Sequence, residues 1–567
     1  HRAAVRRHLQ CTGYDRLARQ LTAGLPAHER RTVEAYADAL EEPRRVGERQ
    51  GVMSGLAFGW FQLAIHAGAY ASALFFAAHQ IAAGKLTGGE AVGVMFASLI
   101  GAMALGSLMN NNLFAAAQSP FERGFLGSPH FAPKAKRIIY LFQHGGPSQM
   151  DMFDYKPGLA QEFDKELPKS VRGDQRITGM TSGQSRLPVA PSIFQFKKYD
   201  NNQDGLWVSE LYPYTAGIAK ELCVVKSVFT EQINHEPGVS FLQSGFQLPG
   251  RPSFGSWISY GLGSMNENLP SFVVMISQGK GNAQFVSSRL WSSGFLPSEH
   301  QGINLRGGSE PVLFLSDPNG IDRTDRRRML DQLAHLNHME AGRSLDPEVL
   351  ARISQYEMAF KMQIAVPDVM SIADEPAYIH EMYGTKPGEE SFANNALLAR
   401  KLVEKGVRFV QLFDWGWDSH GTGEDTALDK GFIGKCLQTD KAVSALLLDL
   451  KQRGLLEETL VVWGGEFGRT PMQENRDGKQ NSFKGRDHHS EAFSMWMAGG
   501  GIKAGFSHGE TDPIGYNAIE GKVSVYDIQA TILKQLGFDH EQLTYQFQGR
   551  PFRLTDVFGK PIDPIIA

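Results

Sequence analysis

Cysteine is scarce in this chain: Cys11, Cys223 and Cys436 are the only three in 567 residues, and they lie far apart. Their spacing excludes a CxxC redox pair, a Cys/His zinc finger and a small disulfide-framed domain. Cys223, inside the apolar run Leu222–Val225, reads as a core thiol. An excess of one charge is lacking too. Lys and Arg number 57 against 61 Asp and Glu, a net charge of −4, so there is no electrostatic case for nucleic acid. No GxxxxGK[ST] sequence occurs, which excludes a P-loop ATPase. What the chain has is length. With 42% hydrophobic and 21% charged residues, it has material for a large core, and for one large domain plus something extra or two to four units at ~100–200 residues per domain. It starts at His1 rather than Met, which reads as a fragment or a processed product.

Composition breaks near residue 125. Residues 1–50 are rich in Arg and Ala, with helical periodicity around Thr32–Arg45. Gly55–Ala83 and Ala91–Met109 are free of Asp, Glu, Lys and Arg, and each is long enough for a membrane span of ~20 residues. Small residues in both runs suit close helix packing in lipid; a buried soluble hairpin is the alternative. Residues ~30–110, from Tyr36-Ala37-Asp38 through Gly51, Gly55 and Gly59 to Leu86-Thr87-Gly88-Gly89-Glu90, resemble part of an ABC exporter transmembrane domain. That resemblance implies membrane association through residues 51–109 and a cytoplasmic main domain. Phe96–Leu113 followed by Ala115-Ala116-Ala117 instead resembles an export signal, which implies an exported one, the reading favoured here. Residues 119–135, with three prolines and two glycines, read as a linker.

Beyond it, short apolar runs recur at Lys136–Phe142, Leu222–Val228, Phe272–Ile276, Phe409–Phe413 and Thr459–Val462, as buried parallel strands do. Helical patterns at Ala393–Glu404, Asp440–Gln452 and Val525–Leu536 end at or near Gly406, Gly454 and Gly537. Strands alternating with helices predict an α/β fold with a doubly wound, mostly parallel sheet, preceded by an α-helical hydrophobic N-terminal segment.

Asp, Glu and His cluster near these strands, where a divalent metal site needs oxygen and nitrogen donors from several loops. After the first strand comes His144-Gly145-Gly146-Pro147-Ser148-Gln149-Met150-Asp151. Asp151 is the expected ligand, His144 is a ligand or a strand-end residue, and Asp154 a ligand or a turn cap. Asp418 and His420 follow Phe409–Phe413. Glu466 sits among glycines after Thr459–Trp463, and Arg469, three residues on, suits a bidentate oxyanion or an ion pair with Glu466. In Asp487-His488-His489 one histidine is expected to bind metal and the other to orient it or the substrate. Glu231, Asn234, His235 and Glu236 follow another strand, where a helix start would favour an anion.

Several long phrases carry a second resemblance: KRIIYLFQHGGPSQMDMFDYKP from Lys136, GRPSFGSWISYGLG from Gly250, GVRFVQLFDWGWDSH from Gly406, GGEFGRTP from Gly464, GRDHH from Gly485 and LTYQFQGRPFRLTD from Leu543. Residues ~129–567 thereby resemble the sulfatase-like bacterial family known as domain of unknown function fifteen hundred and one. This implies an alkaline-phosphatase-like fold with one or two divalent ions, zinc or calcium. The metal roles would fall on Asp151, Asp418, His420, Glu466 and His488 or His489. The nucleophile's place would fall on the Asn234–Pro237 region. There the chain departs from the sulfatase pattern: His235, Glu236 and Pro237 stand where a Cys or Ser opens a C-x-P-x-R box, and Val239 where its Arg would be. Formylglycine chemistry is not expected. Glu466-Phe467 also replaces an Asp-His pair.

The leading expectation is a metal-dependent hydrolase of phosphate or sulfate esters, a polysaccharide ester among them. Arg469 would neutralise charge on the transferred group, and His235 would be nucleophile, general base or ligand, with Asn234 beside it. The alternative is a non-catalytic relative that binds a sulfated or phosphorylated polymer.

Overall fold

The computed structural model describes residues 124–567, apart from Arg176, 278–285, 308–310, 313–316, 318–319, 345–346 and 476–480. The expectations for the N-terminal segment, its helices, its exporter-like or signal-like character and its membrane association, lie outside the described residues. Among the described residues no helix is long and apolar enough to cross a membrane. Residues 124–135, expected as a linker, lie against the domain: Phe125 stacks on Tyr260 at 4.9 Å, and the N–H groups of Lys134 and Ala135 both donate to the Gln535 carbonyl at 2.9 Å.

Nine strands form the central sheet: β1 (Arg137–His144), β2 (Cys223–Phe229), β3 (Phe272–Ser277), β4 (Ile303–Asn304), β5 (Phe409–Trp415), β6 (Thr459–Gly464), β7 (Phe493–Ala498), β8 (Phe506–His508) and β9 (Val523–Ser524). Their order is β8-β2-β7-β6-β1-β5-β3-β4, with β9 also on β2. β1 runs parallel to β5, with Ile138 opposite Phe409 and His144 opposite Trp415, and parallel to β6 on its other side. β7 alone is reversed, antiparallel to both β6 and β2. A continuous apolar run carries no mark of direction, so the reversal is not legible in the residues of β7.

The all-apolar runs are explained by burial on both faces. Successive residues of β1 alternate between two cores: Ile139 and Leu141 enter one, Ile138, Tyr140 and Phe142 the other. The first is covered by α5 (Phe392–Glu404) and α6 (Gly431–Gln452). The second is covered by α1 (His235–Ser244), α2 (Phe254–Leu262) and α7 (Val525–Gln535). Helices on both faces of a mostly parallel sheet match the expected α/β class.

Local sequence sets the boundaries. Ser391 caps α5 by accepting from the Asn394 N–H, and Ser524 caps α7 in a reciprocal box with Asp527. Gly537, at φ +83°, turns the chain after α7 where an L side chain would be strained. α6 begins nine residues earlier than the Asp440 expected: Gly431, Gly434 and Lys435 blur the apolar stripe, but Phe432, Cys436 and Thr439 are buried by tertiary packing. A helical pair, α3 (Arg323–Ser344) and α4 (Pro347–Met370), was not anticipated. Its many charged residues hide any periodic stripe.

Candidate metal centre

β2, β5 and β6 point the same way, so the segments that follow them meet at one edge of the sheet. His235 opens α1 a few residues after β2; Asp418 and His420 follow β5; Glu466 follows β6. His488 arrives on a short antiparallel ladder in which it faces Arg469. The turn carrying Asp418 is anchored from behind. Trp417 donates its indole N–H to Asp414 Oδ2 at 2.9 Å, and Lys435 donates to Asp414 Oδ1 at 2.7 Å.

Four side chains converge. His235, Asp418, His420 and His488 offer donor atoms that all lie within 4.8 Å of one another. Oδ1 of Asp418 is 2.8 Å from Nε2 of His420, 3.2 Å from Nε2 of His235 and 3.4 Å from Nε2 of His488. The two Nε2 atoms of His420 and His488 stand 3.1 Å apart. The other nitrogen of each ring is occupied. Nδ1 of His235 meets Glu466 Oε1 at 2.5 Å, Nδ1 of His420 meets Glu474 Oε2, and Nδ1 of His488 meets the Ile233 carbonyl at 2.7 Å. An oxygen on Nδ1 keeps the proton there and turns the Nε2 lone pair inward, as ligating histidines require. The residues present therefore fit a divalent metal.

The surroundings are apolar on one side. The Phe467 ring lies 4.9 Å from that of His235 and 4.6 Å from that of His488. Asp418, His420 and His488 are buried, and only His235, its side chain 12% exposed, reaches the surface. Burial drives the His488 imidazole well below its usual pKa, so it is neutral, the form that binds metal. Burial would raise the Asp418 carboxyl, but the Arg469 charge, with the three imidazoles around it, outweighs burial and holds Asp418 well below the carboxylate range. Burial likewise opposes charge on His235, yet Asp418 and Glu466 together raise its pKa.

The other expected site residues go elsewhere. Asp151 does not join the cluster: Arg486 Nε reaches its Oδ2 at 2.8 Å and Ser148 donates to the same oxygen at 2.6 Å. This ion pair, on a cleft of about 510 Å³ with Arg186 and Lys484, already neutralises the carboxylate. His489 is turned away, Nε2 on the Tyr516 carbonyl at 2.5 Å. Glu466 sits behind His235 and accepts the Gly145 N–H at 3.0 Å, an orienting position rather than a ligand's. Asn234 stands at the N-cap position of α1 without a side-chain cap bond. Asp154 accepts from Thr511 at 2.5 Å and pairs with Lys156. His144 ends β1 with a buried Nδ1 that has no partner among the described residues, its ring 6.2 Å from that of His235.

Arg469 differs most from expectation. Its buried guanidinium does not face an open site. Nε donates to the Gly146 carbonyl at 2.7 Å, Nη1 to the Arg486 carbonyl at 3.1 Å, and Nη2 to the Gly145 carbonyl and to Asp418 Oδ1 at 2.7 Å. It clamps the glycine turn to Asp418, and it forms no pair with Glu466. Sequence reasoning missed Glu474, which lies in a polar loop that reads as a solvated stretch. It also missed Asp487, which accepts from Thr178 and Thr181 and lies with His420 and Glu474 in a second group of close donors.

The phrases that run through β1, β5, β6 and the His488 loop fall within one family match, to the protein of unknown function DUF1501, over residues 135–566. The chain belongs to that family. The match begins after residues ~30–110, so the exporter resemblance gains no support from it. No curated protein matches this chain. Among solved structures, it is similar to the PsFucS1 sulfatase from Pseudoalteromonas sp. (13% identity, 73% of this chain and 69% of that chain, TM-score 0.30). It is similar to the lipoteichoic acid synthase LtaP from Listeria monocytogenes (9% identity, 80% of each chain, TM-score 0.30). It is also similar to the alkaline phosphatase from the Antarctic bacterium TAB5 (11% identity, 72% of this chain and 99% of that chain, TM-score 0.25). Likenesses of this size carry no argument about chemistry, which rests on the residues above.

Proposed function

We propose that this DUF1501 protein is a metal-dependent hydrolase of phosphate or sulfate esters, with the ion held by His235, Asp418, His420 and His488. One observation carries the reading: three imidazoles turn Nε2 toward one carboxylate oxygen while a separate oxygen holds each Nδ1. Three nitrogens and one carboxylate suit zinc; calcium takes oxygen ligands. An ion there supplies Lewis acidity toward an ester oxyanion and toward an attacking water.

The chain's own groups do the rest. His235 holds Nδ1 on Glu466 and keeps a buried Nε2 without a hydrogen-bond partner among the described residues, so among its three expected roles that of ligand fits best. It also begins α1, whose opening N–H groups favour a bound anion. Phe467 excludes water from the imidazoles. No Cys, Ser or Thr stands at position 235, so water is the nucleophile in this reading.

That same lack supports a rival, a non-catalytic protein that binds a sulfated or phosphorylated polymer. Elemental mass spectrometry of the purified chain, beside His420→Ala and with assays on p-nitrophenyl phosphate and sulfate, separates the two. A stoichiometric ion lost in the variant, with metal-dependent turnover of either ester, supports the hydrolase. Bound metal without turnover leaves the binding protein; no metal after loading with each ion sinks the metal centre.

A further inference from the structure

A second polar feature lies on the same edge of the sheet, on the far side of β5. Ser277 ends β3 beside Asp414 of β5. Asn395, in the first turn of α5, donates its amide nitrogen to the Ile276 carbonyl at 3.2 Å and to Ser277 Oγ at 2.8 Å. A backbone carbonyl only accepts, so the nitrogen is fixed on that side and Oδ1 on the other. Among the described residues Oδ1 has no partner, although Asn395 is only 2% exposed. Buried acceptors are normally satisfied, and an orphan calls for an explanation.

The surroundings supply one. Asn395, Ser277 and Gly307 line a cleft of about 460 Å³, with Asn304, Arg306 and Glu390 around it. Oδ1 faces Gly307, where a Cβ would stand 2.9 Å from it; the missing side chain keeps that approach open. Arg306 and Glu390 are exposed and form no ion pair among the described residues. The cleft thus offers a fixed acceptor, a carboxylate and a forked donor, a set that matches vicinal hydroxyls, which both donate and accept.

We propose that this cleft binds a polyhydroxylated, sugar-like unit, with one hydroxyl donating to Asn395 Oδ1 and neighbouring hydroxyls meeting Glu390 and Arg306. That the unit is part of an ester substrate rests on the hydrolase reading; the binding itself does not.

Saturation-transfer NMR on the full chain with neutral glucose, galactose and mannose trisaccharides tests it, with 1,3-propanediol as the control lacking a vicinal pair. Wild type and His420→Ala are expected to bind at least one trisaccharide and not the control. Arg306→Ala, at an exposed position that leaves folding intact, and Gly307→Ala, which crowds Oδ1, are each expected to weaken binding by about tenfold, the worth of a lost hydrogen bond. No trisaccharide signal, or equal binding by wild type and both variants, overturns the proposal. Loss of binding in His420→Ala also overturns it, because the sugar would then sit at the metal centre. Binding kept by wild type and His420→Ala alike, with no ester turnover by the metal-loaded wild type, would sink the hydrolase and leave the cleft standing.

Discussion

Nη2 of Arg469 stands 2.7 Å from Oδ1 of Asp418, the same oxygen that faces the Nε2 atoms of His235, His420 and His488. The guanidinium is therefore part of the frame that keeps Asp418 ionised and the Gly145-Gly146 turn in place. Removing it leaves a buried carboxylate and three carbonyls short of a donor. Arg469→Ala is expected to lower stability by ~3–5 kcal/mol, as when one partner of a buried pair is deleted, read from urea denaturation. A loss below ~1 kcal/mol with a selective rise in KM would instead mean that Arg469 faces substrate.

Glu474 acts through His420. Its carboxylate holds Nδ1 and so sets the direction of Nε2. Glu474→Ala is expected to lower metal affinity by about 10–100-fold while leaving stoichiometry unchanged, the usual cost of losing a histidine's carboxylate partner. Competition against a chelating dye measures it. Unchanged affinity would show that the ring is oriented by packing alone.

Far from the centre, two neighbours should give opposite pH responses. Burial, with the charge of Glu348 beside it, pushes the Glu299 carboxyl from 4.5 up to about 7. Burial lowers His300 from 6.5 to about 4. The folded state holds Glu299's proton where the unfolded chain has lost it, so this contribution is full below 4.5 and fades as pH rises to about 7. His300 is the reverse: its contribution is full above 6.5 and is lost as pH falls to about 4. In wild type the two cancel over much of that window. In His300→Gln, stability should fall between pH 5 and 6.5; in Glu299→Gln it should rise, each by about 1.4 kcal/mol per pH unit. Chemical denaturation at several pH values reads both slopes. Parallel profiles in the two variants would refute the assignment.

Much of this was legible beforehand, for identifiable reasons. Runs buried on both faces are apolar without interruption, so β1, β2, β3, β5 and β6 stood out, and Asp418 and His420 were marked by following one of them. Asp151 was misread because a carboxylate after a strand looks the same whether its partner is a metal or Arg486, and that partner lies 335 residues away. His488 and His489 could not be told apart, since neighbours in a strand face opposite ways and only the fold decides which one turns inward. Glu474 left no mark at all because its role is defined by what it touches.

The glycine turn gives the sharpest separation between fold and site. Gly145 has φ +129°, and a Cβ there would sit 2.6 Å from the backbone nitrogen of Asp418. Backbone cannot swing aside as the end of a long side chain can, so Gly145→Ala must displace the Asp418 segment or distort β1's end. Its own N–H would then leave Glu466, the residue that holds His235. Two ligands move together, and metal affinity should fall far more than stability does. Gly158, in the same stretch of chain, has no atom within 4 Å of a Cβ and no positive φ. Gly158→Ala is therefore expected to be neutral or stabilising by up to ~1 kcal/mol through the unfolded chain, with full metal binding. Calorimetric metal titration and thermal melting of the two variants side by side provide the check. If Gly145→Ala binds metal as wild type does, Asp418 and His235 are not held by this turn.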